Sequence, residues 1–496
     1  MRLKRNYPVN ILLIIFFTLL GFAVMGYHPG LEDDGIYLAA VKARLNPALY
    51  PHNAEFFRLQ MQASVFDALV AGFARWSAIP LAVAELLLQI ASIMLIVCGC
   101  RLIAQRLFSE TRAQWAGVAM ATAMFTLPVA GTALYIVDQH LHPRSIATGF
   151  ILLAVWRILS GKRWQALPLL LAAFLLHPIM AVMGSSFCFF LTIAMLEEKG
   201  GWRRFIPNTG GGWAASFVPL GWVFAPSTPA WHEAVNLHCS LSLYRWAWYE
   251  WIGAVAPLLL FWLIWRIARR RGERMLERFA LAVFFYGIFQ LAVAMILLGI
   301  PSLNRVTPLQ PMRFLHLVYL FMALVSGCLL GKYLLKASIW RWAVYLAAIN
   351  GGMFLSQQIL FNASEHLELP GQPTENSWVQ ALDWIRLNTP TEAYFALDPE
   401  YLAAPGEDYH GFRALAERSQ LADEIKDSAV VAQVPALAET WERQVKAEQG
   451  WRHFQIADFE RLKVEFGVDW VLIAYPEATG LDCRWHNGAL AVCRIP

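Results

Sequence analysis

Apolar residues run in long blocks through the first 361 residues, and polar residues are confined to short stretches between them. A bilayer-crossing helix needs about 20 apolar residues to span about 30 Å of hydrocarbon, fewer where it is only half buried. Eleven blocks approach that length, at approximately 9–27, 80–104, 113–136, 145–160, 164–177, 178–196, 210–226, 251–268, 279–300, 313–335 and 339–360. A further stretch, 59–76, carries Asp67 at its centre and reads as a helix lying on the membrane surface. The first block follows a charged flank as a signal peptide does, yet Gly26-Tyr27-His28-Pro29 is no small-residue cleavage site, so a retained helix is expected.

Charge orients these helices. Lys and Arg stay on the cytoplasmic side of short loops. Starting with Arg2, Lys4 and Arg5 inside, alternate loops collect 21 basic residues against 8 in the others, including the run Arg266–Arg278. Counting 59–76 as a twelfth span would place that run outside. The expected architecture is therefore mainly α, a polytopic membrane bundle of about eleven helices in a bacterial inner membrane, with a cytoplasmic N terminus and an outer C terminus. Composition agrees: 58% of residues are hydrophobic and only 15% charged, against about 25% charged in soluble proteins. Residues 1–361 carry 29 Lys/Arg and 14 Asp/Glu, whereas residues 362–496 carry 11 and 22. An acidic soluble segment and scattered basic clusters argue against a nucleic-acid partner.

Residues 362–496 read as a small α/β domain on the outer side. Trp378–Ile385 has helical spacing and is closed by Asn388-Thr389-Pro390; Tyr394–Leu397 and Asp469–Ala474 read as buried strands around a helix that Gly467 stops. Cys483 and Cys493 flank a strand–turn–strand pattern with an Asn487-Gly488 turn. With one bulge they face each other. A disulfide and two separate half-buried thiols are both compatible with that spacing.

Ionisable groups in hydrocarbon are costly, so chemistry belongs at the aqueous rim. On this topology all twelve histidines fall outside. The first outer loop, 28–79, holds Glu32, Asp33 and Asp34 ahead of a predicted surface helix. One acid there caps a helix and complements its dipole. Three adjacent acids repel, and so favour a raised proton affinity or a bound cation, which suits a general base or a metal site. Asp138-Gln139-His140-Leu141-His142-Pro143-Arg144 lies at the same level. Glu32, Asp138, His140 and His142 could gather round a divalent Mg or Mn ion, or the histidines simply sit at an interface before a helix-starting proline. His177-Pro178 interrupts a long apolar run, and Arg313 with His316 opens the tenth block. Arg144, His177, Arg313 and His316 are candidates for an anionic lipid headgroup; a kinking proline and a snorkelling arginine are the plainer accounts.

The acidic stretch Asp33-Asp34-Gly35-Ile36-Tyr37, the segment Trp378–Pro390 and Phe412-Arg413-Ala414-Leu415-Ala416-Glu417-Arg418 resemble pieces of bacterial members of the GT-C superfamily of integral-membrane glycosyltransferases. The resemblance covers the whole architecture through short motifs. It implies a sugar donor carried on polyprenyl phosphate or diphosphate, a glycan, lipid or protein acceptor hydroxyl, and Asp33 or Asp34 as the general base. The loop lacks a spaced Asp-x-Asp and an Asp-Glu pair, which leaves the choice of base and the need for metal open. A lipid or anion transporter and a non-catalytic membrane scaffold are the competing classes. Convergence of Asp33, Asp34 and Asp138 in an outward cavity favours the enzyme, a mid-membrane passage favours transport, and scattered solvated side chains favour the scaffold.

Overall fold

The computed structural model describes residues 7–196, 227–241, 243–476 and 480–496. The expected block 210–226 and the basic residues Arg2, Lys4, Arg5, Lys199, Arg203 and Arg204 lie outside them. The chain is mainly helical. In order come α1 (Tyr7–Met25), α2 (Asp34–Leu45), α3 (Glu55–Ala63), α4 (Phe66–Ser77), α5 (Leu81–Leu107), α6 (Thr111–Ala123), α7 (Pro143–Leu159), α8 (Ala166–Leu176), α9 (Pro178–Leu196), α10 (Pro229–Leu237), α11 (Trp248–Arg271), α12 (Arg274–Gly299), α13 (Phe314–Leu330) and α14 (Ile339–Leu360). Among the described residues, five helical runs are long and apolar enough to cross a membrane: α5, α9, α11, α12 and the run Arg305–Leu335 that contains α13. These make the chain a membrane protein by length and composition. Leu12, Phe189 and Leu259 are each more than half exposed, as side chains that face lipid must be.

Two expectations about this half change. The stretch 59–76 is two helices, α3 and α4, broken at Ser64-Val65; α4, at 12 residues, is about 18 Å long and too short to cross. Its Asp67 is buried against Arg44 at 3.2 Å. The block 113–136 is helical only to Ala123. Pro128 then starts a two-stranded hairpin, β1 (Pro128–Val129) with β2 (Leu134–Tyr135), because a proline without an N–H cannot continue the helical ladder. Gly131 turns it at φ 60°, where a Cβ would strike the Trp246 ring.

Beyond α14 lies a five-stranded mixed sheet, spatial order β4–β3–β5–β7–β6, with β3 (Tyr394–Ala396), β4 (Ser419–Gln420), β5 (Trp470–Ala474), β6 (Asp482–His486) and β7 (Leu490–Arg494). The β3 pairings are parallel and the last two pairings antiparallel. Helices α15 (Ser377–Asn388), α16 (Phe412–Ala416), α17 (Lys426–Gln433), α18 (Ala438–Glu448) and α19 (Ile456–Phe466) accompany it. Asn376 caps α15 by accepting from the Trp378 and Val379 amides. Gly467, the stop expected from the sequence, ends α19 in the left-handed conformation. Cys483 pairs with Cys493 across a bulge, and the two form a disulfide.

The first outer loop is built into this domain. Ile36, Ala39, Leu49, Tyr50 and Phe57 share a core with Val430, and Phe56 and Trp231 share another with Val431 and Trp441. Backbone bonds join the two segments: Glu32 N to Tyr409 O at 2.8 Å, Gly411 N to Gly30 O at 2.8 Å and Tyr27 N to His366 O at 3.0 Å. Lys42 reaches Ala414 O at 2.7 Å and Glu417 Oε1 at 2.8 Å. Gly35 and Gly411 permit this approach, since a Cβ on Gly411 would lie 2.5 Å from the Gly35 Cα. The expected division at residue 361 thus separates sequence segments, while the first loop packs as part of the C-terminal body.

Candidate active site

A cavity of about 940 Å³ lies between the first loop, the hairpin β1–β2, the α8–α9 break and the C-terminal domain. Asp33, Tyr37, His142, His177, Arg313 and Lys426 are its main polar lining, and Leu176, Pro178, Ile179 and Val430 form an apolar wall. Five of the sequence candidates, Glu32, Asp33, His142, His177 and Arg313, therefore meet in one hollow.

Asp33 is the residue just before α2, with its side chain 36% exposed within the cavity. Lys426 Nζ lies 3.1 Å from one carboxylate oxygen, and His142 Nε2 lies 3.7 Å from the other. Burial pushes this carboxyl up, but Lys426, His142 and Arg144 outweigh it and hold it well below the usual range. It is ionised at neutral pH. Asp34, by contrast, is turned away: it is buried outside the cavity, and its Oδ2 accepts from the Gly30 amide at 2.7 Å. Burial raises its carboxyl, partly countered by His140. Asp34 holds the loop, and of the two candidates Asp33 alone faces the cavity.

His142 caps α7, its Nδ1 accepting from the Arg144 amide at 3.0 Å. Burial lowers its proton affinity, so the neutral ring carries its proton on Nε2, the nitrogen nearer Asp33. Behind it, Arg144 grips Asp138 through Nε at 3.2 Å and through Nη2. Burial raises Asp138 and Arg144 more than reverses it, so that carboxyl is held far below its usual range. His140 sits beside Asp34 and Asp138, with neither ring nitrogen hydrogen-bonded among the described residues. Arg144, Asp138, His140 and His316 stand behind the cavity wall; His316 donates from Nε2 to Ile136 O at 2.8 Å, under the hairpin.

His177 follows α8; its ring centroid lies 6.1 Å from that of His142, and its Nε2 lies 3.5 Å from Arg313 Nη1. Arg313 is buried, with its Nε unsatisfied among the described residues. The cavity lining thus carries an anionic carboxylate and a desolvated guanidinium, which can receive a hydroxyl and an oxyanion respectively.

Part of the expected metal set is engaged with protein partners in this geometry. A divalent ion needs several unengaged ligands converging at one point. Glu32 and Asp33 share Lys426, Asp138 is bound by Arg144, and His142 Nδ1 is used by the Arg144 amide. Among the described residues no three His, Cys, Asp or Glu gather in a metal-holding arrangement. Glu32 and Asp138 form ion pairs, His142 caps α7, and His140 keeps both ring nitrogens without a hydrogen bond among the described residues.

Lys426 went unnoticed in the sequence, being 393 residues from Asp33 and one of the few cations of an acidic domain. A second such cluster joins His28 to Glu368 at 2.8 Å and His410 to the same carboxylate at 3.1 Å, where the loop meets the domain. No spacing signal marks either. No protein-family model matches the chain, and no curated protein matches it.

Proposed function

We propose that the protein is a membrane glycosyltransferase of GT-C type that moves a sugar from a polyprenyl-phosphate-linked donor to an outer acceptor hydroxyl. The observation that carries this reading is the cavity that Asp33 and Arg313 both line, walled partly by apolar side chains. A lipid-linked donor is amphipathic and needs such a place: headgroup in the polar hollow, isoprenoid tail along helices. Asp33 accepts the acceptor's proton as its oxygen bonds to the anomeric carbon. The bond from that carbon to the phosphate oxygen breaks, and the lipid phosphate leaves as an anion toward Arg313 and His177. His142 stands 3.7 Å from the Asp33 carboxylate. No step is assigned to a metal.

The eleven-span topology, with an inner-membrane location and the C-terminal domain outside, belongs to the same proposal. The Cys483–Cys493 disulfide supports that side for the domain, since disulfides persist in oxidising compartments. The glycan, lipid or protein that accepts the sugar is open. Incubating the purified full chain with radiolabelled polyprenyl-phosphate sugars tests the reading: label transferred to water or to an added acceptor supports it, and an intact donor across a panel of sugars removes it. Vectorial movement of the intact donor across proteoliposomes would favour transport instead.

A further inference from the structure

The C-terminal domain does more than cover the first loop, because one of its side chains reaches the carboxylate that faces the cavity. Lys426, the first residue of α17, places Nζ between Glu32 Oε2 and Asp33 Oδ1, and its side chain is 15% exposed. The other oxygen of Asp33 faces His142. Lys426 of the C-terminal domain thus holds one oxygen of the carboxylate, while the cap of α7 stands 3.7 Å from the other.

The lysine is itself fixed. Asp423 Oδ1 accepts from the Ile425 amide at 3.0 Å and from the Lys426 amide. The next residue, Asp427, is bound by Arg413 through two bonds of 2.8 Å each. Arg413 lies on α16, which meets α2 at the Gly35–Gly411 contact. Arg413 and Asp427 are both buried, so this pair is not a loose surface bridge, and removing either partner would leave a buried charge. A rigid path therefore runs from the domain interior to Nζ.

We propose that Lys426 is a positioning residue for Asp33, so that the C-terminal domain completes the active site by holding the first-loop carboxylates toward the acceptor. This rests on the sugar-transfer reading above for its consequence, but not for its geometry. Two adjacent acids, Glu32 and Asp33, would repel and splay; one ammonium between them sets both. Tyr37, His140, His142, Arg144, Arg313 and His238 also interact electrostatically with Asp33.

Two measurements on the full chain test this. A zero-length carbodiimide should join Lys426 to Glu32 or Asp33, seen as a linked peptide by mass spectrometry and lost in Lys426→Arg; a folded wild-type protein that yields no such link overturns the proposal whether or not it transfers sugar. In the transfer assay, Lys426→Gln should lower kcat by about 10- to 100-fold, as displacement of a reacting group by an ångström does, with the donor KM changed by less than about twofold. Lys426→Arg should recover most of that loss. An unchanged kcat in Lys426→Gln, or a loss that Lys426→Arg does not reduce at equal thermal midpoint, overturns it. Absence of transfer in the wild type would remove the function reading alone, leaving the cross-link to decide the contact.

Discussion

His142 presents Nε2 to the Asp33 carboxylate at 3.7 Å because its other nitrogen is committed to capping α7. One imidazole thereby does two jobs, and substitution separates them. His142→Ala should lose about 1 kcal/mol of stability with the cap. His142→Asn restores a capping oxygen and hence the thermal midpoint. It reaches no farther toward Asp33, so sugar transfer should stay about tenfold or more below wild type in both variants. Paired unfolding and transfer assays read the split.

The two first-loop aspartates should part company. Asp33→Asn removes the only one of them that faces the cavity and should reduce transfer by at least about 100-fold, the usual weight of a general base. Asn at position 34 can still accept the Gly30 amide, so Asp34→Asn should keep transfer within a few-fold of wild type. Initial rates of the two variants at equal protein concentration decide between them, and the reverse order would reassign the base.

Asp138 and Arg144 form a two-pronged pair with both side chains buried. Removing the carboxylate with Asp138→Ala leaves the guanidinium uncompensated and should cost about 3–5 kcal/mol. Replacing both, as Asp138→Leu with Arg144→Met, should cost less than the single change. Thermal unfolding in detergent measures each.

The Glu368 cluster gives the docking of loop and domain a pH window. Burial pushes the Glu368 carboxyl up, but His410 and His28 outweigh it and leave it at about 2, below its ordinary 4.5. That contribution to stability is complete above about 4.5 and is lost as pH falls toward 2. Burial lowers His410, and Glu368 overrides it, leaving the imidazole above its ordinary 6.5. Its contribution is complete below 6.5 and fades as pH rises through the elevated folded value. The thermal midpoint of the full chain should therefore lose the Glu368 increment on the acid side and the His410 increment on the alkaline side, and Glu368→Gln should flatten both limbs. A variant with the wild-type pH profile would show that the cluster does not couple the two parts.

Much of this architecture was legible along the chain. Apolar blocks gave α5, α9, α11 and α12, because hydrocarbon leaves no other solution for a long apolar segment. Strands β3 and β5, the Gly467 stop and the bulged Cys483–Cys493 pairing follow from local periodicity and turn chemistry, which act between near neighbours. The acidic loop and the polar rim were visible for the same reason: charge excluded from lipid must gather at its edge.

The tertiary structure decided the rest. The helix that begins at Thr111 stops at Ala123 and yields to a hairpin, since residues 128–135 roof a cavity instead of facing lipid. Which of Asp33 and Asp34 faces that cavity depends on a single residue step at the start of α2, and a carboxylate's direction there is set by what the loop packs against. Lys426 and Glu368 come to the loop from more than 330 residues away. Such contacts depend on how two folded bodies dock, a long-range packing problem that local hydrophobic patterning does not encode.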